Sequence, residues 1–309
     1  MATLLGVDEG STSVKAKVVR SAAASKAVAA ATARSYVQNL DRLLVGYLCC
    51  STRAHSVEDL IKAHERLTPA GNTPQRPVTD VTMRKALTGL AGASLIKEDS
   101  DMHWGSTVPN YQFYRNLIPF VNGVKIEDFF NTWASNFDKL EEEHHYIQWL
   151  LPTSRLSDYN DSDSYALFKA EAELMIDDEE VQMRLKKSVV LMLAFYGFDA
   201  SEDARRALTI SRAADSKTRF KAYNTNDNHN FKRISRMLRC LREVGLQTWQ
   251  RPILMALINE FNCGNLDKAQ DSLRKHWLNE VKDRTARTQL RERILTPAQR
   301  KKKQKDALR

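Results

Sequence analysis

Few side chains in this sequence have the type and spacing that chemistry requires. Glu141 and His145 lie one helical turn apart, with His144 beside them, and such a pair could supply two metal ligands. A third ligand at a useful spacing is missing, so we predict a solvated helix face and no metal site. The four cysteines form no C-x-x-C pair, which argues against a disulfide framework and favours reduced thiols in a nuclear or cytosolic protein.

Catalytic motifs are equally scarce. Residues 4–16 contain Asp8 and a Gly-Ser-Thr-Ser turn, and this segment is similar to the first phosphate-binding hairpin of carbohydrate kinases. The other phosphate loops of such a kinase are missing, as are a P-loop, a G-x-S-x-G turn and a cysteine in a nucleophile context. The sequence therefore predicts a non-enzymatic protein with no catalytic residues and no cofactor.

The net charge of +9 comes mainly from one end of the chain. From Lys282 to Arg309 there are 11 basic and 3 acidic residues, which give +8 and leave +1 for the rest. Residues 138–180 carry 13 acidic and 3 basic residues, whereas residues 184–251 carry 15 basic and 6 acidic residues. Two interpretations remain open: the two segments neutralise each other within one fold, or the second forms an exposed basic groove.

The hydrophobic pattern divides the chain into four segments. Residues 1–33 form a small, polar, flexible leader. The pattern of residues 34–107 predicts a small helical unit. It includes a capping box at Ser56 and Asp59, a helix from Asp80, and a hairpin that turns at Asp99-Ser100. This element order is compatible with a winged helix. Residues 108–282 predict a large helical domain, and residues 283–309 a basic tail. The fold class is all-α with one short hairpin.

Within residues 108–282, helical spacing gives definite expectations. The spacing of apolar residues over 124–149 predicts one or two helices with a wide apolar stripe. A helix over 180–196 should end at Gly197, and another begins near Pro252 and should end at Gly264. Residues 201–230 are polar and predicted to be partly helical at best. A last helix is predicted from Leu266 to Val281.

Several motifs in this domain resemble the opioid growth factor receptor family. Asn110–Phe120 matches Asn-Tyr-x-Phe-Tyr-x-Asn-x-Ile-Pro-Phe, and Asn122–Phe129 matches Asn-Gly-Val-x-Ile-Glu-Asp-Phe. The order and rough spacing of the later motifs also agree, although Ala134 and Leu151 depart from the common residues. Those later motifs are Leu140-Glu141, His144, Tyr146–Leu150 with Pro152, Leu191–Gly197, and His229-Asn230 with Arg233-Ile234 and Arg236–Leu238.

The resemblance implies a receptor unlike the seven-helix opioid receptors. The named receptor binds the enkephalin pentapeptide Tyr-Gly-Gly-Phe-Met, associates with the nuclear envelope and nucleus, and restrains cell proliferation. We therefore expect an opioid growth factor receptor-like protein in the nucleus and perinuclear region, with a cytoplasmic pool. The longest apolar run, Val189–Phe198, is too short to span a bilayer, which leaves peripheral membrane association open.

An enkephalin-type peptide needs a carboxylate for its ammonium group and aromatic walls for its Tyr and Phe. Glu127 and Asp128 are the candidate carboxylates; the alternative is that they cap a helix and that the nearby aromatic residues are core. The candidate aromatic walls are Phe113, Tyr114, Trp133, Tyr146 and Trp149.

The basic end suggests two further partners. A compact cluster predicts binding to an import receptor as extended chain, the alternative being a solubilising tail. The other class of function is a nucleic-acid-associated nuclear regulator that uses residues 34–107, the arginine-rich segment 232–242 and the tail. The import cluster consists of Arg300, Lys301, Lys302, Lys303 and Lys305.

Overall fold

The computed structural model describes residues 44, 47–49, 51, 54–67, 78–92, 95–98, 104–120, 123–155, 165–226 and 228–306. The predicted leader, its kinase-like segment and the turn at 99–100 lie outside these residues. The chain divides into two compact units, Met1–Thr107 and Val108–Arg309.

The first unit contains helices followed by a hairpin. Residues 44 and 47–49 are helical, and α1 (Val57–Leu67) begins with the predicted capping box, in which the Asp59 amide donates to Ser56 Oγ at 3.2 Å. Helix α2 (Asp80–Gly92) follows, then the antiparallel strands β1 (Ile96–Glu98) and β2 (Trp104–Ser106). The predicted order of elements is thus present, and the winged-helix interpretation stays a prediction.

The second unit opens with short helices that carry the aromatic motifs. They are α3 (Pro109–Tyr114), α4 (Ile126–Thr132), α5 (Phe137–Glu142) and α6 (Tyr146–Leu150). The apolar stripe predicts one or two helices over 124–149, but turns at Trp133–Ser135 and Glu143–His145 divide this stretch into three. Each break lets the chain change direction while its aromatic side chains continue to point into the core.

Two longer helices and a second hairpin follow. Helix α7 (Lys169–Asp177) leads into α8 (Glu179–Phe195), which Asp178 caps by accepting from two backbone amides. Gly197, with φ of +88°, turns the chain into the antiparallel pair β3 (Phe198–Glu202) and β4 (Leu208–Arg212). The polar pattern of 201–230 does not predict this hairpin, because its two short strands carry few apolar residues.

The end of the second unit is helical throughout most of its length. Helices α9 (Ser216–Tyr223), α10 (His229–Glu243) and α11 (Gln250–Cys263) are followed by tight turns at Asp267–Ala269, Ser272–His276 and Trp277–Glu280. Gly264, at φ of +91°, ends α11 as predicted. The predicted last helix over 266–281 is instead this series of 3₁₀ and π turns.

The predicted basic tail contains α12 (Arg284–Glu292) and α13 (Pro297–Asp306), and both pack against α11. The all-α fold class is confirmed, with two hairpins in the described residues where one was expected. Among the helices that the structure describes, none is both long and apolar enough to cross a bilayer.

Candidate functional site

The five aromatic residues predicted to wall a peptide pocket lie in the core of the second unit. None is more than 5% exposed. Their rings form a continuous set of edge and tilted contacts: Phe113 lies 5.4 Å from Trp149, and Trp133 lies 5.9 Å from Tyr146, between ring centroids. Phe120 joins the two pairs, at 6.2 Å from Phe113 and 5.7 Å from Trp133. The motifs thus meet in space and fill the interior.

The tyrosine hydroxyls within this core serve as structural donors. Tyr114 Oη donates to the Leu150 carbonyl, and Tyr146 Oη donates to the Leu140 carbonyl at 3.0 Å. Burial raises the pKa of both phenols, so they stay protonated and hold these bonds. Each bond ties a motif helix to its neighbour, which explains why tyrosine stands at these positions.

The two candidate carboxylates lie in the first turn of α4. Arg184 Nε donates to Glu127 Oε1 at 2.6 Å, and Lys187 Nζ lies 3.8 Å from Glu127 Oε2. Asp128 is exposed, and no cation lies within ion-pair distance of it among the described residues. A ligand ammonium group would therefore compete with Arg184 for Glu127, whereas Asp128 is accessible.

At one point the aromatic core reaches the surface. Tyr165 is 56% exposed, and its ring centroid lies 5.7 Å from that of Trp149. The Asn110 side chain donates to the Tyr165 carbonyl at 3.4 Å, which fixes the backbone there. No sequence pattern singles out Tyr165 as an exposed aromatic residue, because it belongs to none of the motifs.

A buried polar cluster brings two distant motifs together, and no pattern in the sequence predicts it. Arg233 on α10 is only 5% exposed, yet its guanidinium group donates to the Leu140 and Glu143 carbonyls at 2.9 Å. It also lies 2.8 Å from His144 Nδ1. Because arginine can only donate, His144 must be neutral at Nδ1. Burial, followed by the charge of Arg233, lowers the pKa of His144.

Glu141 completes this cluster from α5. Its carboxylate accepts from Asn230 Nδ2 at 2.9 Å and lies 3.3 Å from His229 Nε2. Burial, followed by Arg233, also lowers the pKa of His229. No metal-binding group of three or more His, Cys, Asp or Glu side chains occurs in the described part of the chain. Arg233 supplies the positive charge of this cluster. Its hydrogen bonds, with those of Asn230, tie α10 to the turn between α5 and α6.

The other arginines of α10 are also engaged within the body. Arg236 Nε donates to the Leu151 carbonyl at 2.7 Å, while Arg239 and Arg242 both bind the Glu280 carboxylate at 2.5 Å. Burial lowers the pKa of Arg236 to about 10, a value that still leaves it charged at neutral pH. The α10 arginines thus bind acceptors of the second unit, but the carboxylate that binds two of them, Glu280, lies outside the acidic segment 138–180.

The predicted import cluster lies on α13. Lys301, Lys302, Lys303 and Lys305 are exposed there. The Arg300 guanidinium lies 4.0 Å from the centre of the Phe261 ring on α11, a cation–π contact that holds the helix to the body. The cluster is therefore helical, whereas extended chain was expected.

These observations define an all-α protein whose aromatic motifs form its core and whose charged motifs tie its helices together. The family model described as the opioid growth factor receptor conserved region matches residues 104–306. The chain belongs to this family, which confirms the resemblance found in its motifs.

Individual relatives match over shorter stretches. The chain is 39% identical to the opioid growth factor receptor of Homo sapiens over 153 residues, which are 49% of this chain and 22% of that protein. It is 31% identical to opioid growth factor receptor-like protein 1 of Xenopus tropicalis over 194 residues, or 62% of this chain and 36% of that protein. The matches thus span about a fifth to a third of these relatives. No solved structure matches the chain.

Proposed function

We propose that this chain is a non-enzymatic, receptor-like protein that binds an enkephalin-type peptide or a protein partner in negative regulation of cell growth. The observation that carries the proposal is the family match over 104–306, which takes in nearly all of the second unit. Relatives that share this region are named opioid growth factor receptors. The proposal extends that named role to this chain.

A non-enzymatic role is supported by what the reactive side chains of the second unit do. Burial raises the pKa of the Cys240 thiol, which keeps it protonated and unreactive. His144 Nδ1 is occupied by Arg233, and Glu141 binds Asn230. The contacts of these groups hold the fold together, which supports a structural role for them.

The ligand-binding proposal uses two places on the surface. Asp128, with Glu127 beside it, is the acceptor for a ligand ammonium group, since Asp128 needs no other bond to be displaced. The exposed Tyr165 ring, backed by Trp149, is the aromatic contact. The buried aromatic rings support these places from behind, because opening the core to admit a ligand would cost the contacts that hold it together.

Isothermal titration calorimetry of the full chain with Tyr-Gly-Gly-Phe-Met tests this, with a scrambled pentapeptide as the ligand control. The double substitution Glu127→Gln with Asp128→Asn should weaken binding at least tenfold, because it removes the charge that pairs with the ammonium group. Tyr165→Ala should weaken it separately. Glu142→Gln, an exposed carboxylate on α5, is the matched control and should bind normally.

The outcomes separate the two parts of the proposal. Equal heats from the two peptides would refute peptide binding by this chain. Normal binding by both the double variant and Tyr165→Ala would refute the location instead, and would leave the peptide as ligand. Thermal unfolding of Tyr165→Ala and Glu142→Gln should match the wild type, whereas the double variant should unfold at a lower temperature because it loses the ion pair between Glu127 and Arg184 and must be compared below that temperature.

We also propose that the protein resides in the nucleus and perinuclear region with a cytoplasmic pool, and that the lysines of α13 bind an import receptor. An import receptor that takes its ligand as extended chain would require α13 to unwind. Such unwinding is inexpensive for this helix, because a run of adjacent lysines repels itself and Arg300 is its principal anchor to α11.

A further inference from the structure

The basic end of the chain is fixed to the second unit by a buried asparagine. Asn262 on α11 is 4% exposed; its Nδ2 donates to the Arg293 carbonyl at 2.8 Å, and its Oδ1 accepts from the Leu295 amide at 3.0 Å. These two bonds hold the turn between α12 and α13. Leu290 and Ile294 are buried beside it. The two helices therefore have a defined position on the body.

Together α12 and α13 present a dense group of cations, which we call the cationic helix pair. Arg284, Arg287 and Arg291 follow three- and four-residue spacing and line one side of α12. In the described part of the chain, no carboxylate lies within ion-pair distance of any member. The members are Arg284, Arg287, Arg291, Arg293, Lys301, Lys302, Lys303 and Lys305.

The arginines of α10 differ from those of the pair, because they have acceptors within the second unit. Arg233, Arg239 and Arg242 of α10 are bound by carbonyl groups or by Glu280. The α10 arginines thus have hydrogen-bond acceptors or carboxylates in the second unit, whereas no carboxylate of the described residues pairs with the cationic helix pair. Eight like charges lie on two helices that both pack against α11, and a polyanion would relieve the repulsion among them.

We propose that the cationic helix pair binds the phosphate backbone of duplex nucleic acid. Guanidinium and ammonium groups in this number match a repeating array of phosphates, and their binding releases condensed counterions. An anionic membrane fits less well, because α13 has no apolar face to insert and the one leucine of α12 is buried against the body. Backbone contacts carry no sequence information, so binding is independent of sequence.

The surface predicted from the sequence combined residues 34–107, the segment 232–242 and the tail, whereas the surface proposed here consists of the two tail helices alone. It also uses none of the residues assigned to the peptide. The α12 arginines lie outside the import cluster, so their substitution separates duplex binding from nuclear import.

Fluorescence anisotropy of the full chain with a labelled 20-base-pair DNA of mixed sequence tests the proposal, over a range of KCl concentrations. The first variant carries Arg284→Gln, Arg287→Gln and Arg291→Gln. The second carries Lys301→Gln, Lys302→Gln and Lys305→Gln. The matched control loses the same charge from exposed sites elsewhere, through the substitutions Lys217→Gln, Lys221→Gln and Arg251→Gln.

Each test variant should bind at least tenfold more weakly than the wild type. The slope of log affinity against log salt concentration should fall by roughly one for each phosphate contact that the substitutions remove. The control should retain wild-type affinity and slope. An equal weakening in the control would overturn the proposal, because net charge alone would then explain the binding. So would a wild-type protein that binds phosphatidylserine vesicles and not the duplex, or that binds neither.

Discussion

Glu171 provides the sharpest test of the packing in the second unit. It lies on α7 with no exposed surface, and its two carboxylate oxygens accept from the Tyr111 amide and from Asn110 Nδ2, each at 3.0 Å. It therefore accepts hydrogen bonds from the first turn of α3, the helix that carries the first aromatic motif. Burial outweighs these bonds and raises the pKa of Glu171 from 4.5 to about 7.

The sign and size of the effect follow from that pKa. Between pH 4.5 and about 7, the unfolded chain has released the Glu171 proton while the folded chain retains it. The contribution of Glu171 to the free energy of unfolding must then fall as pH rises, by about 1.4 kcal/mol per pH unit. Across this window the decrease is about 3 kcal/mol, and above it the contribution is constant.

Urea denaturation followed by tryptophan fluorescence, repeated from pH 4.5 to pH 8, measures this decrease. Glu171→Gln keeps the shape and one acceptor but cannot ionise, so the difference between wild type and variant should change by about 3 kcal/mol over the window. Glu173→Gln, on the exposed side of the same helix, should leave the wild-type dependence unchanged. Parallel curves for the wild type and Glu171→Gln would refute the reasoning.

Three further perturbations test other parts of the structure, and a fourth tests localisation. Arg233→Ala should lower the free energy of unfolding in urea by about 3 kcal/mol, because it removes a buried side chain together with its hydrogen bonds to the Leu140 and Glu143 carbonyls and to His144; a decrease below about 1 kcal/mol would contradict this. The contribution of His144 to stability should fall as pH drops below about 6.5, since its lowered pKa makes the unfolded chain bind the proton first; in acid denaturation curves the difference in free energy of unfolding between the wild type and His144→Gln should therefore change in that direction. Gly197→Ala should lower the melting temperature more than Gly123→Ala: both glycines have positive φ, but an added Cβ at Gly197 would lie 3.0 Å from another side chain, and equal shifts would argue against the clash. A fluorescent fusion that lacks residues 300–309 should leave the nucleus, and continued nuclear accumulation would argue against import through α13.

The sequence predicted the elements whose limits are set by local chemistry. The capping box at Ser56 and the glycine end of α11 at Gly264 depend on residues within one helical turn, and both are present. The aromatic motifs were recognised because their residue types and order are specific, and the family match confirms that recognition.

The sequence could not show which side of each motif faces the interior. Trp133 and Trp149 are equally suited to line a pocket or to fill a core, and tertiary packing alone places them in the core. The contact between Arg233 and His144 joins residues far apart in the chain, so no periodicity reveals it. The helices of the basic end were not predicted, because their polar composition resembles that of a solvated tail.

The two hydrogen bonds of Asn262 also indicate where the protein can be truncated. A chain that stops before α12 would lack Leu290 and Ile294, which are buried together with α11 in the intact protein. The apolar side of α11 would then meet water, and the shortened fragment would be prone to self-association. Expression of the second unit should therefore extend through residue 306, where the family match also ends.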